Sequence, residues 1–107
     1  MNEYTETGGL RSGSSYWGGM NATWPFAKLR ATPDMIEITL RGLVSSDEQF
    51  TFTKQDIVAL RRKRGLLSTG LEIKHSNRAY APYFLFWTFD FHRLKQALSE
   101  LGFTVEK

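Results

Sequence analysis

Cysteine is missing from this 107-residue chain, which removes disulfides, thiolate metal sites and cysteine nucleophiles together and gives no sign of an oxidising compartment. Histidine is scarce: His75 and His92 are the two places where imidazole acid–base chemistry could reside. Long apolar runs are missing as well. The longest, Tyr83 to Trp87, falls far short of the roughly 20 residues that cross a bilayer. The first twenty residues have neither the basic start nor the apolar block of a secretory signal. These absences predict a soluble, cytoplasmic chain. What is present suits one compact domain: 41% apolar and 14% aromatic residues to fill a core, and 23% charged residues to cover it.

Charge is unevenly distributed. The net value is +3, but Lys54 to Tyr80 holds seven basic and two acidic residues, which leaves the remainder at −2. Such an asymmetry can focus anionic partners, although a solvated strand and loop produce it equally well. The N-terminal stretch is rich in glycine and serine, and residues 1–15 read as a flexible arm, with a single domain over 16–107.

From Asn21 onward the chain reads as short strands with turn punctuation. Ala27, Leu29 and Ala31 alternate with Lys28 and Arg30; Thr32-Pro33-Asp34 supplies a turn; Ile36, Ile38 and Leu40 alternate again, so the two runs predict a hairpin. Phe50 and Phe52 alternate with threonines, and Leu71, Ile73 and His75 share one face of a later strand. Asp56 to Gly65 is compatible with a helix of about two turns or with a strand; the strand is preferred because strands flank it. Tyr83 to Trp87 is apolar on both faces, as a strand covered from both sides should be.

A helix follows. Phe91, Leu94, Ala97, Leu98 and Leu101 form one stripe, Thr88 or Asp90 can cap its start, and Gly102 permits the left-handed residue that ends it, with Phe103 returning onto Leu98. The pattern predicts an α+β fold: a strongly bent antiparallel sheet, or partly open β-barrel, of about six to seven strands capped by one C-terminal amphipathic helix.

This order resembles the pleckstrin-homology-like superfold, in particular small bacterial domains of that type. The likeness rests on Asn21-Ala22-Thr23-Trp24-Pro25 opening the first strand, Gly70-Leu71-x-Ile73-x-His75, Phe84-Leu85-Phe86-Trp87, and Leu94-x-x-Ala97-Leu98-x-x-Leu101-Gly102, and it leaves out the N-terminal arm. The resemblance implies binding of phosphoinositides, peptides or other proteins, or scaffolding, without choosing among them. Its phosphoinositide-binding branch carries basic residues on the first two strands. Lys28 and Arg30 match the first strand's share, whereas Met35, Glu37 and Thr39 stand where a basic pair would be expected and Arg41 comes late.

No catalytic set is legible. His75 shares a face with core residues, so it points inward or sits at a strand end, and His92 lies in the first helical turn. Neither a metal-ligand spacing nor a phosphate-binding glycine loop occurs, so no metal or cofactor is expected. The expectation is a non-enzymatic binding or scaffolding module acting on a protein or peptide, or on a second copy of itself. Trp17, Trp24 and Tyr80 are its candidate partner-binding aromatics. An exposed strand edge is another way to dock a peptide. The alternative is an anionic, phosphate-bearing ligand, either phospholipid head group or nucleic acid, held by Arg61, Arg62, Lys63, Arg64, Lys74 and Arg78. A strand across 61–64 would send Arg61 and Lys63 to one face and Arg62 and Arg64 to the other.

Overall fold

The computed structural model describes residues 2–14, 20–41, 47–65 and 68–106. Its elements in chain order are β1 (Tyr4–Gly13), β2 (Met20–Thr32), β3 (Met35–Leu40), β4 (Glu48–Thr53), β5 (Ile57–Arg64), β6 (Thr69–His75), β7 (Tyr83–Thr88), α1 (Phe91–Glu100) and β8 (Val105–Glu106). The strands form one eight-stranded sheet in the order β4-β3-β2-β1-β7-β6-β5-β8, curled into an open half-barrel with the C-terminal helix on its concave side. Every pairing is antiparallel except that of β5 with β8.

The mostly β architecture with one C-terminal helix agrees with the expected class, but there are eight strands instead of six to seven. One addition is β8. The other corrects the expected arm: Tyr4–Gly13 is a central strand, paired with β2 on one side and β7 on the other. The glycines that read as slack are what the packing requires. A Cβ at Gly8 would lie 2.2 Å from the Trp87 carbonyl oxygen and 2.6 Å from the Phe86 ring, so β1 can approach β7 this closely only without a side chain there.

Strands β2 and β3 pair as the alternation predicts, with Leu29 opposite Ile38 and Ala31 opposite Ile36, and their shared face is fully buried. The ladder of β1 with β2 breaks between Gly8 and Leu10, where Gly8 faces Ala27 but Leu10 faces Ala22. Thr23 to Phe26 form the resulting bulge, which includes a cis Trp24–Pro25 peptide. In β7, Phe84 and Phe86 enter the core while Leu85, on the opposite face, is equally buried. On the convex face Leu85 packs over Gly70, where a Cβ would come within 2.6 Å of its Cδ1, and is flanked across the ladders by Arg11 and Glu72.

Helix α1 is bounded as its sequence implies. The Asp90 carboxylate accepts from the Arg93 N–H at 3.1 Å, and the Phe103 N–H donates to the Leu98 carbonyl at 2.9 Å after Gly102 turns at φ 94°. Leu94, Ala97, Leu98, Leu101, Phe103 and Val105 close the core from the concave side. Removing each large side chain among them from water stabilises the fold by about 1.5–3 kcal/mol. No helix among the described residues is long and apolar enough to cross a membrane.

Candidate functional site

Residues 57–64 are strand, and burial of Leu60 in the core sets the parity of β5. By the two-residue period Arg62 and Arg64 stand on the concave, helix-facing side and Arg61 and Lys63 on the convex side. The contacts agree. The Arg62 guanidinium lies 5.5 Å from the centre of the Phe91 ring on α1, whereas Lys63 Nζ lies 5.4 Å from that of Tyr83. Arg61 Nε donates to Glu106 Oε1 on β8 at 3.1 Å. Lys74 is exposed on the convex side, next to buried Ile73, and Arg78 is exposed in the connection from β6 to β7. The six basic residues named from sequence are thus not gathered on one compact surface.

One of them borders a groove. Arg62, Phe91, His92, Lys95 and Glu106 line a depression of about 460 Å³ between β5, the start of α1 and the end of β8. Phe91 and Lys95 are one helical turn apart and so face it together. Strand β8 pairs with β5 only at Leu60 and Arg61, so β5 from Arg62 to Arg64 has no strand partner on that side among the described residues. The Gly65 N–H points across the hairpin to the Ser68 carbonyl, at 2.8 Å. By alternation the Arg64 N–H points the other way, into the open edge.

The sheet's opposite edge is partly occupied. On β4 the Thr51 N–H donates to the Tyr80 hydroxyl at 3.0 Å, and the Thr53 N–H donates to the Asp56 carboxylate at 3.3 Å. Two of the outward amides that an added strand would use, those of Thr51 and Thr53, are thus already occupied. Tyr80 is therefore placed differently from its expected role as a partner-binding aromatic. It is half-buried, with its ring packed edge-on against Phe50 at 5.3 Å and Phe52 at 5.4 Å. Trp17 lies outside the described residues.

Trp24 is exposed, as a partner-binding residue must be. The β2 bulge lifts it off the sheet, it is 54% exposed, and it meets Phe89, itself 73% exposed, at 6.1 Å between ring centres. A cleft of about 260 Å³ lies beside the pair, lined also by Arg11, Asn21, Ser68 and Trp87. Phe89 escaped sequence reading because the residue before an N-cap belongs to no periodic pattern.

His75 packs 4.8 Å from the centre of the Phe52 ring. Its Nδ1 accepts from the Asn77 N–H at 3.1 Å, so Nε2 carries the proton and donates to the Ala81 carbonyl at 2.8 Å. Both ring nitrogens are engaged by backbone. No group of three or more histidine, aspartate or glutamate residues suited to a metal ion occurs among the described residues.

His92, Lys95, Phe91 and Glu106 were not marked as site residues by the sequence. The helical spacing of Phe91 and Lys95 was visible, but the two-residue strand that brings Glu106 beside β5 carries no periodic signal. Compared with models of known protein families and with curated proteins, the chain matches none.

Proposed function

We propose that this protein is a non-enzymatic peptide-binding module that takes up an extended segment of a partner by strand addition along Arg62–Arg64, against α1. The observation that carries this is the contrast between the two edges: on β4 the outward Thr51 and Thr53 amides are occupied by Tyr80 and Asp56, while β5 has no strand partner beyond Arg61 among the described residues and lies beside a groove. Backbone hydrogen bonds of an added strand supply affinity and the groove supplies selectivity. The resemblance to the pleckstrin-homology-like superfold, whose members include peptide binders, supports the same reading. Self-association through β4 of a second copy is disfavoured because the Thr51 and Thr53 amides on that edge are occupied. A compact phosphate-bearing ligand draws little support from basic residues that diverge onto two faces.

The test uses synthetic peptides in which valine alternates with glutamate, serine or lysine, followed by amide NMR. Binding of any of these with shifts confined to Arg62–Arg64 and α1 is expected. Arg64→Pro removes the edge N–H without touching the β6 ladder and should abolish binding, whereas Arg64→Ala keeps that N–H and should retain it. Absence of binding to every peptide, or shifts centred on Glu48–Thr53, would overturn the reading.

A further inference from the structure

The two faces of the β5 edge differ in how far their charge is already met. On the convex face Arg61 donates to Glu106 and stands opposite Glu72 in the ladder with β6, and Lys63 lies against the Tyr83 ring. On the concave face Arg62 and Arg64 stand opposite Leu71 and Thr69, and neither forms an ion pair among the described residues. Lys95, across the groove on α1, forms none either. The Phe91 ring beneath Arg62 holds the guanidinium beside the groove without neutralising it, so its N–H groups can grip a carboxylate. The one carboxylate lining the groove, Glu106, is engaged by Arg61.

Resting on the strand-addition reading, we propose that the partner segment carries acidic side chains at every second position, turned toward α1, with uncharged side chains between them. Spacing and charge together select this occupant. Arg62 and Arg64 are two residues apart, about 6.5 Å along the strand, and same-face side chains of an incoming strand have the same interval. Two alternate carboxylates can therefore stand opposite the two guanidinium groups, with Lys95 facing them from the helix. Carboxylates on the other face would meet cations that Glu106, Glu72 and Tyr83 already attend. A nucleic acid has no peptide backbone with which to continue the ladder.

The experiment compares four probes by fluorescence titration at constant salt: the alternating valine–glutamate and valine–serine peptides, a glutamate run of equal length, and a single-stranded oligonucleotide. The valine–glutamate peptide should bind tightest, about three- to tenfold tighter than valine–serine, and its affinity should fall as salt rises. Lys95→Glu, which leaves the strand edge untouched, should remove that advantage, and Arg62→Gln should reduce it. Lys63→Glu should leave it unchanged. Melting temperatures equal to the parent's would show that the three variants keep the fold. If valine–serine binds as tightly as valine–glutamate, or Lys95→Glu has no effect, the acidic assignment falls while strand addition stands. If the glutamate run binds tighter, or Lys63→Glu weakens binding as much as Lys95→Glu, the restriction to one face falls. Tighter binding of the oligonucleotide overturns the acidic-peptide assignment, and binding of no probe overturns both readings.

Discussion

Tyr4 shows how one side chain ties distant parts of this chain together. Its hydroxyl donates to Glu6 Oε1 at 2.6 Å; the other oxygen of Glu6 accepts from the Thr88 hydroxyl, which itself accepts from the Asp90 N–H at 3.0 Å. The relay joins β1 to the start of α1. Burial, and next the hydrogen bond to Glu6, hold the Tyr4 phenol well above its usual range. Because the folded chain keeps this proton when the unfolded chain has released it, the contribution is complete below about pH 10 and is lost as pH rises beyond it. Tyr4→Phe should therefore cost about 1 kcal/mol at neutral pH through the lost hydrogen bond. The difference from the parent should shrink in thermal melts taken above pH 10, since the variant has no phenol to ionise at that position. Residues whose role is local, such as Asp90 and Gly102, could be read from sequence because a helix end is defined within a few positions. Glu6 and Thr88 could not: they are 82 positions apart.

At the scale of elements, side-chain alternation revealed β2, β3, β4 and β6, whereas β7 was read from a run apolar on both faces and β5 from the strands that flank it. The same signal fails at both ends of the chain. In β1 the glycines dilute the pattern, and β8 has two residues, too few for a period. Which edge is open is also a tertiary matter, since Tyr80 reaches Thr51 from a different hairpin. Tyr80→Phe should keep the aromatic packing and release the Thr51 N–H. Hydrogen exchange at Thr51 should then accelerate severalfold, with little change at core amides. Equal exchange in parent and variant would show that the hydroxyl does not guard this edge.

For the molecule as a whole, β1 makes the half-barrel continuous. Without it, β2 and β7 lose a shared neighbour, and Leu10, fully buried, leaves a gap in the core. Deleting residues 1–13 should abolish a cooperative thermal transition followed by circular dichroism, because both the hydrogen-bond ladders and the core are interrupted. A truncated chain that melts like the parent would restore the picture of a dispensable arm.

Sequence alone determined the strand periodicity of most of the sheet and the C-terminal helix with its ending at Gly102, because each follows from spacings of a few residues, while the division of the β5 cations between two faces followed only once 57–64 proved to be strand. Tertiary structure alone decided that a glycine-rich start becomes the middle of the sheet, that the β4 amides of Thr51 and Thr53 are occupied while β5 has no strand partner beyond Arg61 among the described residues, and that Lys95 and Glu106 border one groove with Arg62. Those outcomes depend on which distant segments approach one another, and close approach is set by the shape of the assembled core, which no local spacing encodes.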